Sequence, residues 1–148
     1  EDVAMKDISK KYTNSLNFQQ EMRVMLYTRS KGGHPHVCSL REHFDSKHSY
    51  YVILDYIGGG EMFDHMINNG AYSELDASRI VREVASALNF LHGIGVVHAV
   101  LKPENILLTT PRRSDAVVKL AYFGCAQVLR NTVEFADDYL RPRFGPSK

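Results

Sequence analysis

The sequence has little of what marks secreted, membrane or zinc-binding proteins. It has no tryptophan and only two cysteines, Cys38 and Cys125, which lie far apart and form no CxxC pair. Two isolated cysteines favour reduced thiols over a disulfide or a zinc site, which predicts a cytoplasmic or nuclear protein. No apolar run approaches the length of a membrane span, and the first residues do not follow the pattern of a signal peptide.

The sequence also lacks an excess of charge of either sign. Its 18 basic and 17 acidic residues are mixed along the chain, for a formal net charge of +1. This balance gives no electrostatic reason to expect binding to nucleic acid or to an anionic membrane. With 44% hydrophobic residues in 148 positions, the chain can bury one substantial core.

The most informative stretch runs from His98 to Asn105 and reads His-Ala-Val-Leu-Lys-Pro-Glu-Asn. Pro103 interrupts a helix, and the three aliphatic residues that follow, 106–108, suit a buried strand. A loop that carries Lys102 and Asn105 beside a buried strand is where a cleft would place its chemistry. An ordinary surface turn is the alternative for this stretch taken alone.

This stretch resembles the catalytic loop of eukaryotic protein kinases, H-R-D-L-x-x-x-N. The matching residues are His98, Leu101, Lys102, Pro103, Glu104 and Asn105. Ala99 stands for the Arg of the motif and Val100 for the Asp. In the family that Asp orients the substrate hydroxyl and accepts its proton, and valine can do neither.

The first residues predict a strand that resembles a second kinase motif. Residues 3–8 alternate apolar and polar side chains, the period of a half-buried strand. Val-Ala-Met-Lys within it resembles the V-A-I-K strand, whose Lys reaches the nucleotide phosphates, so the resemblance assigns that role to Lys6. A solvated strand lysine is the alternative. The Gly-rich loop that precedes this strand in the family is missing from this chain, and with it a set of phosphate-facing backbone N–H groups.

Residues 17–30 predict a helix. Its apolar stripe consists of Phe18, Met22, Met25 and Leu26. Glu21 lies four residues before Met25 and shares a face with it. A solvated glutamate is the ordinary interpretation, but the resemblance to the αC helix of kinases implies an ion pair between Lys6 and Glu21.

The turn after this helix contains Gly32, Gly33 and two histidines. The two glycines end the helix. His34 and His36 do not belong to a cluster of carboxylates and thiolates of the kind that holds a metal, so we expect surface residues rather than metal ligands.

Two strands, 37–44 and 50–55, then predict an antiparallel hairpin. The Gly-rich stretch 55–63 that follows resembles the kinase hinge and the helix after it. The resemblance assigns nucleotide-facing roles to the gatekeeper Leu54, to the backbone of Ile57, which would contact adenine, and to Glu61, which would meet the ribose.

The longest helix begins at Ser73, with an acid three residues later as in a capping box. Gly93 or Gly95 ends it. The stripe predicted to be buried consists of Ala77, Ile80, Val81, Val84, Leu88 and Leu91. We assign this helix a structural role only.

Beyond residue 108 a polar turn, 109–115, and a strand, 116–120, lead to Ala-Tyr-Phe-Gly at 121–124. This sits where kinases have D-F-G, whose Asp holds magnesium. Tyr122 replaces that Asp, and a phenol, neutral at physiological pH, is a poor ligand for a hard cation. Residues 139–143 faintly resemble the end of an activation segment, with Arg143 in place of an acid.

The resemblance implies an α+β, protein-kinase-like two-lobe fold that is incomplete. Residues 1–54 would form a partial N-lobe with an antiparallel sheet and one helix. Residues 55–148 would form the hinge and a truncated, mostly helical C-lobe, with the nucleotide cleft between the two. The residues matching the stacked apolar spine of the family are Met25, Leu40, His98 and Phe123.

The resemblance also implies a set of site residues. The catalytic positions are Lys102 and the degenerate base position Val100. The metal positions are Asn105 and the degenerate Tyr122. The nucleotide-binding positions are Lys6, Glu21, Leu54, Asp55, Ile57, Glu61, Glu104 and Leu107.

The predicted function is that of a catalytically inactive, kinase-like domain, closest to the calcium/calmodulin-dependent serine/threonine kinases. Loss of a general base alone typically costs about 10² to 10⁴ in rate. We therefore expect weak ATP binding, no dependable magnesium site, and a protein partner such as an active kinase or a kinase substrate. Two alternatives stay open: a residually active serine/threonine kinase, and a truncated, nonfunctional product.

Overall fold

The computed structural model describes residues 2–129 of the protein. The elements in this range, in chain order, are β1 Val3–Ser9, α1 Ser15–Ser30, β2 Leu40–Asp45, β3 Ser49–Asp55, α2 Met62–Asn69, α3 Glu74–Gly93, β4 Val96–Val97, a 3₁₀ turn Pro103–Asn105, β5 Ile106–Leu108, β6 Val118–Leu120 and β7 Gln127–Val128. The mixed α and β content agrees with the predicted incomplete kinase-like fold.

The first three strands form an antiparallel sheet in the order β1-β3-β2. The predicted hairpin is present, but its first strand begins at Leu40 rather than at residue 37. The three residues before Leu40 take another course, because Val37 forms a parallel bridge with Leu120 of β6. The backbone N–H of Cys38 donates to the same Leu120, at 2.8 Å from its carbonyl oxygen.

Helix α1 covers this sheet with its apolar face. Asn14 caps the helix, since its side-chain oxygen accepts from the backbone N–H groups of residues 16 and 17. Phe18, Met22 and Met25 are buried as predicted, and Phe18 stacks on Tyr50 of β3 with ring centroids 4.0 Å apart. The helical spacing in the sequence therefore correctly predicts the buried face.

Helix α3 begins and ends as predicted. The Ser73 hydroxyl accepts from the backbone N–H of Asp76 at 3.1 Å, and the helix ends at Gly93. Its buried residues include Ile80 and Leu91. The prediction for Val81 was wrong: this side chain is 66% exposed, because it lies one residue, about 100° of helix, beyond Ile80.

Two small sheets surround the loop at residue 98. Strands β5 and β6 pair antiparallel, as do β4 and β7, which the sequence did not predict. Strand β6 is shorter than predicted and begins at Val118. The two residues before it belong to the turn, where the Ala116 N–H donates to Arg112 and the Val117 carbonyl accepts from Thr109.

The polar turn 109–115 is anchored by Arg113. Its guanidinium donates to the carbonyls of His65, Gly70 and Ala71, at the end of α2. The same group lies over the ring of Tyr72, 4.0 Å from the centroid. The turn is therefore attached to the C-terminus of α2, which a polar sequence does not reveal.

The core is a cluster of buried apolar side chains that joins α1, the first sheet, α3 and the small strands. All four residues predicted for the apolar spine are buried: Met25, Leu40, His98 and Phe123. No helix in residues 2–129 is long and apolar enough to cross a membrane.

Candidate functional site

The candidate site is built on His98, which ties the loop at residues 98–105 to the segment 121–124. The imidazole is 2% exposed. Its Nε2 lies 2.8 Å from the carbonyl oxygen of Ala121, so this nitrogen carries the proton and donates. The ring meets Phe123 edge-on, with centroids 5.2 Å apart. His98 therefore fixes both neighbours of Tyr122.

Asn105 holds the other end of the loop. Its Nδ2 donates to the carbonyl of Val100 at 2.8 Å, and its own carbonyl accepts from the Ala121 N–H at 3.0 Å. The Asn105 N–H closes the 3₁₀ turn on Lys102 at 2.9 Å. Asn105 is 7% exposed and is held by bonds within the chain, so its position, predicted to bind metal, also has a structural role.

The loop between these two residues has no proton acceptor at the predicted base position. Val100 contributes an aliphatic side chain, and its carbonyl is already bonded to Asn105. Ala99 has a φ of 66°, in the left-handed region that non-glycine residues rarely adopt. Lys102, which was predicted to be catalytic, is exposed to solvent.

Tyr122 is the second residue here with a left-handed backbone, at a φ of 62°. Its neighbours Ala121 and Phe123 are buried, whereas Tyr122 itself is 44% exposed. The ammonium nitrogen of Lys6 lies 5.3 Å from the centroid of the Tyr122 ring, within the range of a cation–π contact. Tyr122 thus connects segment 121–124 to β1.

This contact replaces the predicted ion pair between Lys6 and Glu21, which was wrong: in residues 2–129 no salt bridge joins the two. Both side chains line a cavity of about 10 Å³, close to the room for one water. The Glu21 carboxylate instead points towards Gly124, since a Cβ on that glycine would lie 3.8 Å from Oε2. Glu21 also lines a cavity of about 270 Å³ beside the start of α1.

Asp55 is a predicted nucleotide-binding position, and its carboxylate is engaged inside the protein. One oxygen lies 2.5 Å from Arg41 Nε, and the other accepts from the Ser39 N–H at 3.1 Å. Lys119 Nζ lies 3.7 Å from that second oxygen. These three partners hold Asp55 at the end of β3, and its role in binding nucleotide stays a prediction.

The thiol of Cys38 lies near this ion-pair cluster. Burial, with a smaller contribution from Asp55, raises the pKa of Cys38 to about 11. The thiol is therefore neutral at physiological pH, and a neutral thiol is a poor nucleophile. Cys38 and Cys125 are both free.

Gly59 has a role in the hinge stretch that was not predicted from the sequence. A Cβ there would lie 2.2 Å from the Leu108 carbonyl oxygen, which leaves no room for a side chain. The Gly59 N–H donates to Leu108, and the Leu108 N–H donates to Gly60. These bonds place Glu61 opposite Leu107 in a bridge, so two predicted nucleotide-binding residues do meet. The run of three glycines in the sequence could have indicated this close approach of two backbone segments.

The remaining predicted nucleotide-binding positions are half-buried, and the described residues form no metal-binding cluster. Leu54, Ile57 and Glu104 are partly exposed, each on the element expected. In the described range no group of three or more His, Cys, Asp and Glu side chains could hold a metal ion. The stretch 139–143 lies outside the described residues.

Comparison with known proteins gives one family. The family model described as "Protein kinase domain" matches residues 1–144. Myosin light chain kinase A of Dictyostelium discoideum is 33% identical over 117 residues, 79% of this chain and 39% of the relative. A probable myosin light chain kinase of the same organism is 35% identical over 148 residues, 95% of this chain and 37% of the relative.

A calcium/calmodulin-dependent protein kinase of Emericella nidulans is 41% identical over 104 residues, 70% of this chain and 25% of the relative. The chain thus spans about two fifths or less of the length of these curated relatives, from 25% to 39%.

Proposed function

Since this chain belongs to the protein kinase family, among members like the calcium/calmodulin-dependent kinases, we propose that it is a kinase-like domain that does not transfer phosphate. In this proposal it acts by binding, either a nucleotide weakly or a protein partner such as an active kinase or a kinase substrate. The observation that carries the proposal is that both chemically important positions are altered. Val100 stands where the proton would be accepted, and Tyr122 stands where the metal would be bound.

The first reason concerns the proton. Transfer of a phosphoryl group to a hydroxyl needs a group that accepts or orients the hydroxyl hydrogen. Val100 offers no side-chain acceptor, and its carbonyl is bonded to Asn105. The ammonium group of Lys102 has donors and no acceptor, so it cannot replace a carboxylate base.

The second reason concerns the metal. Magnesium prefers carboxylate and phosphate oxygens in near-octahedral geometry. Tyr122 brings a phenol and no carboxylate. The Asn105 amide nitrogen donates to Val100, which leaves the amide oxygen as the one neutral ligand that Asn105 can offer. A neutral amide oxygen and a phenol, without a carboxylate, are a poor ligand set for a magnesium ion.

The third reason concerns the phosphates of a nucleotide. Lys6 is the cation that the resemblance assigns to them, and its ammonium lies over the Tyr122 ring rather than beside Glu21. A triphosphate would have to displace that contact, without a metal to offset its charge. This supports weak, metal-independent binding at most.

A thermal melt with and without nucleotide tests the binding part of the proposal. The whole 148-residue chain is melted alone, with ATP, and with ATP plus magnesium. A ligand at about 100 times its dissociation constant adds roughly 2.7 kcal/mol to the native state. We expect a small rise in Tm with ATP that magnesium does not increase. A rise that depends on magnesium would contradict the metal argument.

A radiolabel transfer assay tests the catalytic part. We expect no transfer above the background of a Lys6→Ala variant. Val100→Asp with Tyr122→Asp is the matched gain-of-function variant, since it restores both missing carboxylates. Transfer by the unaltered chain above the Lys6→Ala background would favour a residually active kinase instead. Absence of a cooperative melt would favour a truncated, nonfunctional product.

A further inference from the structure

His34, in the loop that joins α1 to β2, has a protonation state fixed by its neighbours. The backbone N–H of His36 donates to His34 Nδ1 at 3.1 Å. A ring nitrogen that accepts a hydrogen bond carries no proton, so the bonded imidazole is neutral and its Nε2 bears the hydrogen. That Nε2 lies 3.2 Å from Ser86 Oγ of α3, and the ring stacks on Phe90 at 5.4 Å. A second proton on His34 would set two N–H groups against each other.

His36, two residues on, is bonded in the opposite way. Its Nδ1 lies 3.0 Å from the Val118 carbonyl oxygen, which can only accept, so Nδ1 bears the hydrogen. The same nitrogen is 3.7 Å from Glu83 Oε2. The Nδ1–H of His36 therefore donates, whereas Nδ1 of His34 accepts, so the two rings are bonded in opposite senses.

The charged groups around His34 oppose its protonation. Burial lowers the pKa of His34, and the charges of His36 and Lys119 lower it further. The Glu83 carboxylate is engaged by the Val118 N–H at 2.7 Å and by Arg79 at 3.5 Å. Among the described groups that contact His34, the face of Phe90 would attract a cation. No carboxylate among the described residues forms an ion pair with His34.

The same loop is bonded to the strand that leads into the candidate site. The Leu120 N–H donates to the His36 carbonyl at 2.9 Å, and Leu120 accepts from Cys38 at 2.8 Å. Leu120 is the last residue of β6, and Ala121 and Tyr122 follow it directly. A change in the docking of the loop would therefore reach the backbone that positions Tyr122.

We propose that the docking loop, residues 31–38, is an acid-sensitive contact that packs on α3 and β6 while His34 is neutral and releases when His34 takes a second proton. The stabilisation is complete above the ordinary imidazole range, near pH ~6.5, and is lost as the pH falls below it. Release loosens β6 and, through it, segment 121–124. The proposal does not depend on whether the protein binds nucleotide.

An NMR titration of the unaltered 148-residue chain tests the mechanism directly. Nitrogen-15 shifts of the imidazoles report tautomer and charge. We expect His34 as the Nε2–H tautomer at pH 7.5, and we expect its protonation below that pH to coincide with loss of amide-exchange protection at His36 and Leu120. An Nδ1–H tautomer of His34 would overturn the proposal. So would a protonated His34 with both amides still protected.

Variants test the consequence for stability. In His34→Asn the amide oxygen can replace Nδ1 as acceptor but does not titrate. We expect the loss of Tm between pH 7.5 and 5.5 to be smaller than in the unaltered chain, by about 2–4 °C. His48→Asn, at an exposed position, is the matched control and should follow the unaltered chain.

An equal loss of Tm in His34→Asn and the unaltered chain would contradict the proposal. If His34→Asn does not fold, the titration of the unaltered chain still decides the question, because it needs no substitution.

Discussion

The buried frame of the candidate site and the surface pair beside it are held in different ways. The frame, which we define as His98, Asn105 and Phe123, is almost fully buried and is tied by hydrogen bonds and ring contacts. The surface pair, Lys6 and Tyr122, is exposed and joined by one ammonium–ring contact. The frame keeps the kinase-like residues, whereas in the pair Lys6 matches the family and Tyr122 does not. The fold of this region therefore depends on the frame and tolerates the change at Tyr122.

The largest expected effect is that of Phe123→Ala in the frame. Removing a buried phenylalanine typically costs about 3–5 kcal/mol, and this ring is 1% exposed and packs on His98. Urea denaturation would measure the change in the free energy of unfolding. Phe63→Ala is the control, since Phe63 is 38% exposed and should lose much less. Equal losses in the two variants would remove the distinction between frame and surface.

Asn105→Ala should have the next largest effect. It leaves the part-buried Val100 carbonyl without its donor, and an unsatisfied polar group costs up to about 1–3 kcal/mol when it is buried. The same denaturation measurement applies. Asn89→Ala, on the exposed face of α3, should change stability little or raise it slightly, because alanine favours helix. A loss below 0.5 kcal/mol, roughly the lower limit for one hydrogen bond, would place Asn105 outside the frame.

Tyr122→Asn should have a small effect of the opposite sign. A left-handed backbone costs most residues about 1–2 kcal/mol, and asparagine adopts it more readily than tyrosine. The lost contact with Lys6 offsets about 0.5–1 kcal/mol of that gain. We expect no loss of stability and at most a gain of about 1 kcal/mol. Tyr56→Asn, at a position 59% exposed, is the control. A clear loss would mean that Tyr122 belongs to the frame.

Lys6→Met should have the smallest effect. It keeps the length of the side chain and removes the charge over the Tyr122 ring, which is worth about 0.5–1 kcal/mol at an exposed site. A double-mutant cycle with Tyr122→Asn would isolate this coupling. Lys47→Met is the control at another exposed position. A coupling energy of zero would show that the pair does not stabilise the structure.

The sequence predicts well those features that local signals determine. Ser73 caps the N-terminus of α3 by accepting a hydrogen bond from a residue three positions later. The stripe of Phe18, Met22 and Met25 determines which face of α1 is buried. The aliphatic run after Asn105 forms β5 as predicted. In each case the residues that decide the structure are neighbours in the chain.

The sequence does not predict contacts that depend on distant residues. The ion pair of Lys6 with Glu21 fails because Tyr122, more than a hundred positions away, lies against the lysine. His34 and His36 were expected at the surface, but their partners in α3 and β6 make them part-buried. The sequence likewise does not show that Arg41 and Lys119 engage the carboxylate of Asp55.

The anchoring of Arg113 bears on how this protein can be altered or tagged. Polar turns are the usual places for inserted tags, new cleavage sites and split points, because exposed backbone there makes few contacts. In the turn 109–115 the guanidinium instead closes the end of α2, so lengthening the chain on either side of Arg113 would pull it from three carbonyls at once. The turn at residues 46–48, between β2 and β3, is the better place for an insertion.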